Sequence, residues 1–212
     1  MKVGVVDYGM SNLGSVRRAL AELGCDPFVA AAPAELGGAD RIVLPGVGSF
    51  GDGMKNLAAR GWVSAIRDEV AAGKPLLGIC LGMQMLMDES EEFGATPGLG
   101  LIPGRVVKIP AMTTMGAQHK IPHIGWNELV LPAQRDSWQS SILTKVEPGE
   151  AVYFVHSYMA EPATPGHRLA DCHYGGIPIS AMVKRDNVMG CQFHPEKSGA
   201  VGLKILRGFL SP

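Results

Sequence analysis

Short apolar runs alternate with amphipathic stretches through the first half of the sequence. The apolar runs have the length of buried strands, and the stretches between them carry apolar residues at the three- and four-residue spacing of helices. Alternation of this kind predicts a mainly parallel central sheet with helices on both faces. The predicted strands are residues 3–6, 28–30, 42–44 and 76–79, and the predicted helices are 12–23, 54–72 with a break near Gly61, and 81–87.

The second half of the sequence has a different pattern. Strand-like runs follow one another between proline and glycine turns, with few helical stretches among them. We therefore expect antiparallel hairpins that extend the sheet. Residues 88–104 are acidic and then rich in glycine, which predicts a surface loop and turn. The predicted strands are 106–109, 124–131, 151–156, 169–174, 179–184 and 188–193, followed by a helix at 199–210.

Length and charge limit the possible functions. A chain of 212 residues can bury one sizeable core but is too short for two ordinary catalytic domains, so we expect a single domain over residues 1–212. Lys and Arg number 19 against 20 Asp and Glu, and this balance gives no reason to expect binding to nucleic acid or to an anionic membrane. No uncharged run reaches the ~18 residues of a spanning helix, so no membrane segment is expected.

The four cysteines are too widely spaced for a zinc site or a disulfide framework. None of them forms a CxxC pair. We expect no metal, no cofactor and a reducing, cytoplasmic location. The four positions are Cys25, Cys80, Cys172 and Cys191.

One cysteine stands where a buried strand should turn sharply into a helix. Cys80 lies within thirteen consecutive uncharged residues and has a glycine two positions before it and two after it, Gly78 and Gly82. A strand-to-helix corner strains the backbone and leaves little room, so small neighbours are needed. The helix N-terminus would favour a thiolate over a thiol. The pattern predicts a nucleophile, although a free cysteine is more commonly a buried structural residue.

A thiolate nucleophile needs a base, and His194 is the best candidate. Pro195 pushes His194 into an extended backbone, in which residues two apart project to the same side. Glu196 can therefore contact the imidazole, fix its tautomer and raise its proton affinity. The sequence predicts a Cys–His–Glu triad, whereas the other five histidines are expected at the edge of the core or on the surface, with His156 the one closest to the site.

Acyl transfer also needs donors for the oxyanion. The N–H of Leu81, directly after the cysteine, is one donor by the geometry of the elbow. The second could come from the glycine-rich turn that includes Gly46, Val47 and Gly48. That turn also matches the G-x-G-x-x-G fingerprint of dinucleotide binding, but it follows the third strand rather than the first, so we favour an oxyanion loop. Gln84, four residues after the cysteine, lies on the same helical face and could bind substrate.

The motifs GICLGMQ and HPE together resemble the triad-type (class I) glutamine amidotransferases over nearly the whole chain. The resemblance implies a class I glutamine amidotransferase-like (flavodoxin-like) α/β fold and hydrolysis of L-glutamine to glutamate and ammonia. Other segments are similar to those of the glutaminase subunits of imidazole glycerol phosphate synthase. These segments are DYGMSN at 7–12, PGVGSFGDGM at 45–54, HIGWN at 123–127, HSY at 156–158 and HPEKS at 194–198.

This closer resemblance implies a division of labour between two chains. A separate (βα)8-barrel cyclase would use the ammonia on a phosphoribulosyl-formimino aminoimidazole carboxamide ribotide and release imidazole glycerol phosphate. By the same resemblance, Ser157 and Tyr158 contact glutamine together with Gln84, and the PGVG turn supplies its donor after a rearrangement. The residues implied to face the cyclase are Asn12, Trp126, Asn127 and Lys197; a buried core position is the alternative for Trp126.

Three other functions remain open on the sequence. The chain could be an amidotransferase subunit of another synthase, such as one that makes anthranilate, aminodeoxychorismate or pyridoxal phosphate. It could be a cysteine peptidase or hydrolase of another class that uses a similar elbow. It could also be a binding module in which Cys80 is inert, because a fold alone does not establish an activity.

Overall fold

Strands and helices alternate along the first part of the computed structural model, which describes residues 1–211. Short 3-10 turns occur at Pro33–Gly38, Pro165–His167 and Pro195–Lys197. The strands are β1 (Lys2–Val6), β2 (Asp26–Ala30), β3 (Arg41–Gly46), β4 (Leu76–Cys80), β5 (Glu89–Ser90), β6 (Thr96–Pro97), β7 (Gly104–Lys108), β8 (His123–Glu128), β9 (Ala151–His156), β10 (Tyr158–Pro162), β11 (Arg168–Tyr174), β12 (Ile177–Arg185) and β13 (Val188–Cys191). The helices are α1 (Leu13–Glu22), α2 (Phe50–Ala59), α3 (Trp62–Ala71), α4 (Leu81–Gln84) and α5 (Gly199–Leu210).

A seven-stranded sheet forms the centre of the molecule, with strand order β11-β12-β13-β4-β3-β1-β2. Strands β1 to β4 and β13 pair in parallel, whereas β11 and β12 are antiparallel to their neighbours. The mainly parallel sheet with an antiparallel extension is thus confirmed. All five residues of β4 are buried, as its apolar sequence predicts for a strand covered on both faces.

The core lies in two layers, one on each face of the central sheet. Alternate residues of each strand face opposite layers, because successive side chains of a strand point to opposite sides. Helices α1 and α5 and the β8–β9 ribbon cover one face, and helices α2 and α3 cover the other. Within residues 1–211, no helix is long and apolar enough to cross a membrane.

The predicted helix after the cysteine is shorter than the sequence indicates. It ends at Gln84 rather than at residue 87. All seven residues from 81 to 87 are buried, so the sequence has no change from a buried to an exposed face that would indicate where the helix ends. The carbonyl groups of residues 85–87 instead accept hydrogen bonds from the backbone of residues 99–102. A long-range contact therefore ends this helix. By contrast, the predicted break at Gly61 is confirmed, with φ of 74°.

The segment predicted as a surface loop contributes to a second sheet. Strands β5 and β6 lie within residues 88–104 and join a four-stranded sheet of order β10-β7-β5-β6. Strand β10 was not predicted from sequence. The predicted strand 124–131 ends at Glu128, and β8 and β9 form a separate ribbon instead of extending the central sheet. Strands β8 and β10 depend on partners distant in the sequence, which local patterning does not specify.

Candidate active site

Cys80 occupies the predicted corner between β4 and α4. Its backbone has φ of 54° and ψ of −111°, a conformation that is strained for a residue with a side chain. A Cβ on Gly78 would lie 2.6 Å from the carbonyl oxygen of Gly82, and a Cβ on Gly82 would overlap the carbonyl oxygen of Leu44. Both glycines are therefore needed for this turn to pack against the sheet.

A cavity of about 430 Å³ opens beside the cysteine. It lies at the carboxyl ends of β3, β4 and β13, because the PGVG turn, Cys80 and His194 follow these neighbouring strands. A larger cavity of about 780 Å³ lies at the opposite ends of the strands, near α5, and has no cysteine or histidine in its lining. The smaller cavity is lined by Val47, Gly48, Cys80, Leu81, Gln84, Glu92, Pro122, Val155, His156, Ser157, Tyr158 and His194.

His194 and Glu196 form the predicted pair. Nδ1 of His194 is 2.8 Å from Oε1 of Glu196, and both side chains are buried. The carboxylate accepts a hydrogen bond from the Nδ1–H group, which leaves Nε2 to face the cysteine. Burial lowers the pKa of His194, but hydrogen bonds and charge attraction from Cys80 and Glu196 outweigh this effect and raise it to about 9. These contacts favour an imidazolium beside a thiolate.

Backbone contacts hold the histidine in place. The His194 N–H donates to the carbonyl oxygen of Tyr153 in β9, at 3.0 Å. The hydroxyl of Ser198 donates to the carbonyl oxygen of His194 at 2.6 Å and accepts from the N–H of Tyr153 at 3.0 Å. The base is therefore anchored to a strand outside the central sheet.

Two of the histidines expected at the core edge or surface are buried. His123 and His156 are 3% and 6% exposed. Burial lowers the pKa of His123 to about 4, and it lowers that of His156 to about 3 even though a hydrogen bond to the Tyr158 carbonyl opposes the shift. Both imidazoles are neutral, and a hydrogen bond joins a ring nitrogen of each. This bond explains how two histidines can be buried side by side. His156 lines the cavity, in agreement with its predicted proximity to the site.

The glycine-rich turn lies at the cavity with its potential donor already engaged. The Val47 N–H donates to the carbonyl oxygen of Met10 at 3.0 Å. Gly48 has φ of 102°, which a larger residue rarely adopts. Gly46 is opposite Cys80 in the β3–β4 pairing. The turn thus connects the N-terminal segment to the nucleophile.

Gln84 is buried and bonded to the protein rather than exposed on a helix surface. Its Nε2 donates to the Tyr158 carbonyl oxygen and to Oε1 of Gln192, each at 3.0 Å. Both amide hydrogens are used, so Oε1 is the atom left for another partner. Ser157 and Tyr158 line the same wall of the cavity.

Sequence reasoning missed two polar residues of the site. Gln192 is fully buried, and its Nε2 lies 3.8 Å from the Cys80 sulfur. It stands two residues before His194, so the same spacing that identified Glu196 could have identified it. Glu92 lines the cavity and accepts a 2.6 Å hydrogen bond from the N–H of Phe50, the first residue of α2. Its segment is thus part of the site wall, and no local signal indicated this.

The residues implied to face a partner differ in exposure. Trp126 is 59% exposed on β8, so the alternative of a core position is wrong. Lys197 is exposed in the turn after the triad, and exposed Asn12 caps α1 by accepting from the Ser15 N–H. Asn127 is partly buried and donates to the carbonyl oxygen of His173. The turn at Pro195–Lys197 packs against both α1 and β9, which brings these elements to one side of the molecule.

Comparisons with known proteins identify the family of the chain. The family model described as glutamine amidotransferase class-I matches residues 4–211. An imidazole glycerol phosphate synthase subunit HisH 1 from Legionella pneumophila (strain Lens) is 51% identical over 208 residues, which are 98% of each chain. The HisH subunit from Geobacillus thermodenitrificans (strain NG80-2) is 51% identical over 98% of this chain and 94% of that protein. The chain belongs to the class-I glutamine amidotransferases and, within them, to the HisH subunits of imidazole glycerol phosphate synthase.

Solved structures show the same fold at low sequence identity. The structure of PurLQS from Thermotoga maritima has a TM-score of 0.74 and 22% identity, and the match covers 99% of this chain and 97% of that chain. A crystal structure of a glutamine amidotransferase has a TM-score of 0.72 and 21% identity, with coverage of 98% and 96%. The predicted fold class and family are confirmed.

Proposed function

We propose that this chain, acting as a single catalytic domain, hydrolyses L-glutamine and passes the ammonia to a cyclase subunit of imidazole glycerol phosphate synthase. The observation that carries the proposal is the arrangement of Cys80, His194 and Glu196 at one cavity, in a chain 51% identical to HisH subunits. Membership of this family favours this function over a peptidase, an inert binding module or a subunit of another synthase.

The first half of the reaction forms a thioester. The Cys80 thiolate attacks the side-chain amide carbon of glutamine, and the carbonyl oxygen becomes an oxyanion that the Leu81 N–H can stabilise. His194 then donates its Nε2 proton to the amide nitrogen as the carbon–nitrogen bond breaks. Ammonia leaves, and the glutamyl group stays on the sulfur.

The second half releases glutamate. His194, now neutral, takes a proton from a water molecule, which attacks the thioester carbon. The thiolate leaves as the tetrahedral intermediate collapses, and the imidazolium–thiolate pair is restored. Glu196 contacts neither substrate nor water. It keeps Nδ1 of His194 protonated and stabilises the imidazolium.

Three residues of the cavity wall would hold the substrate. The Oε1 atom of Gln84 is free to accept a hydrogen bond from the α-ammonium group of glutamine, since both of its amide hydrogens are already used. Ser157 and Tyr158 line the wall next to it and would contact the rest of the amino-acid moiety. Because Cys80, His194 and the wall residues supply every group that these steps use, the proposed reaction needs no cofactor and no metal.

The glycine-rich turn would switch the activity. The Val47 N–H is bonded to Met10 and is not available to an oxyanion, so the chain alone would have one strong donor. Docking of a partner would release the turn, with Gly46 and Gly48 allowing the change of backbone conformation. We expect low glutaminase activity in isolation and stimulation by the cyclase with its ligand bound.

The partner would be a (βα)8-barrel cyclase in a heterodimer. Exposed Trp126 is suited to an anchor because large aromatic side chains contribute strongly to interfaces. Asn12, Asn127 and Lys197 lie on the elements around it. A docked barrel would keep ammonia unprotonated on its way to the second site. We place the reaction in the cytoplasm.

The decisive experiment mixes this chain with the barrel cyclase, glutamine and the ribotide, and measures imidazole glycerol phosphate. We expect product with glutamine only when both chains are present. The control replaces glutamine by an ammonium salt at alkaline pH, which should let the cyclase act alone. A cyclase that works with ammonia but gives no product with this chain and glutamine would contradict the proposed function.

A further inference from the structure

The side chain of Gln192 lies against the nucleophile and has no part in the Cys–His–Glu triad, although it stands two residues before His194 in the same segment. It is fully buried at the end of β13, next to β4. Its Nε2 is 3.8 Å from the Cys80 sulfur, within the range for an N–H donor to sulfur, whose radius exceeds that of oxygen. A buried amide of this kind needs partners for its polar atoms.

The orientation of this amide is determined by its neighbours. The Tyr158 carbonyl oxygen can only accept, so the group of Gln84 that faces it must be Nε2. The same nitrogen faces Gln192 at 3.0 Å, so the atom of Gln192 at that contact must be its acceptor, Oε1. The remaining end of the Gln192 amide, Nε2, is then the one that faces the sulfur. A reversed amide would set two donors against each other.

We propose that Gln192 is a further catalytic residue, which stabilises the Cys80 thiolate by donating an amide hydrogen bond to its sulfur. This inference rests on Cys80 being the nucleophile of the proposed function, but not on the identity of the substrate. Hydrogen bonds to charged groups are about twice as strong as those between neutral groups. The bond is therefore strongest when the sulfur is anionic, before acylation and again when the thiolate leaves the second tetrahedral intermediate.

In this arrangement two residues hold the thiolate. The thiol proton passes to Nε2 of His194, and the negative charge on sulfur is then shared between the imidazolium and the Gln192 amide. Gln84 does not contact the sulfur and acts as a positioning residue, since it determines which end of the Gln192 amide is presented.

Ionisable groups from several elements lie at the cavity or near the sulfur. They remain unchanged when Gln192 is replaced, so a shift in the titration of the cysteine would report the amide. These groups are His194 with Glu196 bonded to it, His156, Tyr158 and Glu92 at the cavity, Cys191 in β13, and Tyr8, whose pKa is raised by burial and by the Cys80 charge.

The test measures the rate of Cys80 alkylation by iodoacetamide from pH 4 to pH 9, because the thiolate is the reactive form. All variants carry Cys25→Ser, since Cys25 is partly exposed and would also react. We expect Gln192→Met, which keeps the length but removes the donor, to move the midpoint upward by about one pH unit, a tenfold change in the ionisation equilibrium. Gln84→Met should shift it in the same direction by less. Gln139→Met, at an exposed site, should leave it unchanged.

A midpoint in Gln192→Met that agrees with that of the unchanged chain within about 0.3 pH units, well below the expected shift of about one unit, would overturn the proposal. Folding is checked in the same samples, because buried Cys172 and Cys191 stay unmodified only if the core is intact. If Gln192→Met unfolds, Gln192→Glu provides the second variant: at neutral pH its carboxylate removes the donor and repels the thiolate, so it must shift the midpoint at least as far. The alkylation needs no glutamine, so absence of glutaminase activity would count against the proposed function and leave this result standing.

Discussion

His123 and His156 are in direct contact through their rings, with Nδ1 of His123 3.0 Å from Nε2 of His156. The side chain of Asn127, fixed by a bond from its Nδ2 to the His173 carbonyl oxygen, also donates to Nε2 of His123. That ring therefore carries its proton on Nδ1 and donates to His156. His156 in turn carries its proton on Nδ1 and donates to the Tyr158 carbonyl oxygen at 2.8 Å. A directed chain of hydrogen bonds connects β8 with the cavity wall.

This pair makes the fold sensitive to acid. In the folded chain the pKa of His123 is about 4 and that of His156 about 3, whereas the ordinary pKa of histidine is 6.5. Between pH 6.5 and pH 4 the unfolded chain therefore binds more protons than the folded chain. The stability they contribute is present above pH 6.5 and is lost as the pH falls toward 4. We expect His123→Gln to reduce the slope of unfolding free energy against pH between 6.5 and 5 by about 1 kcal/mol per pH unit, in urea titrations. Exposed His173→Gln is the control; an unchanged slope in His123→Gln would contradict the pairing.

The nucleophile can be tested independently of the acceptor reaction. We expect Cys80→Ala to abolish glutamine hydrolysis while the partner still forms product from added ammonia, because the two reactions belong to different chains. Glutamate release and product formation are measured in parallel. Cys25→Ala, away from the cavity, should retain full glutamine-dependent activity. Hydrolysis at the normal rate in Cys80→Ala would refute the assignment.

The role of Glu196 predicts a change in both rate and pH dependence. Glu196→Gln removes the charge that helps raise the pKa of His194 to about 9, so this pKa should fall. The imidazolium would then be lost at a lower pH, and the basic limb of the pH–rate profile should move to lower pH. We expect kcat to fall roughly 100-fold or more. Glu161→Gln, which alters an exposed ion pair with Arg105, should change neither property. An unmoved basic limb would exclude the proposed role.

Gly82 should tolerate no side chain. The Cβ of Gly82→Ala would overlap the Leu44 carbonyl oxygen, which belongs to β3 and cannot move without disturbing the central sheet. We expect a loss of at least about 2 kcal/mol in the free energy of unfolding, measured by urea denaturation. Gly38→Ala meets nothing within 4 Å and should differ from the unchanged protein by less than about 0.5 kcal/mol. Equal stability of the two variants would show that the turn has more room than its geometry indicates.

Trp126 should contribute to assembly and not to folding. Trp126 is 59% exposed and belongs to neither layer of the core, so Trp126→Ala removes no core packing. We expect affinity for the cyclase to fall at least about tenfold, as for an aromatic anchor, with no change in the urea midpoint. Binding is measured by calorimetry. Exposed Arg185→Ala, at the opposite end of the strands, is the control. Undiminished affinity in Trp126→Ala would place the interface elsewhere.

Elements with a strong local pattern were predictable from sequence. The apolar run before Cys80 specified a buried strand, and Gly61 marked the break between two helices, because each signal lies within a few residues. The short strands at 89–90 and 96–97 and the end of the helix at Gln84 were not predictable. The two strands pair with each other and the first also pairs with 105–106, whereas the helix end depends on backbone bonds from 99–102. A strand of two residues has too few side chains to show a period.

For the site, the sequence determined the chemistry and the tertiary structure determined its surroundings. Glycine spacing around Cys80 and the extended backbone at His194 act over two residues, so the sequence could specify both the corner and the His–Glu pair. The Gln192 amide beside the sulfur, Glu92 at the cavity and the paired histidines each depend on strands that are far apart in the chain. Burial and hydrogen-bond partners arise only when these strands meet, and they decide which polar side chain faces the nucleophile.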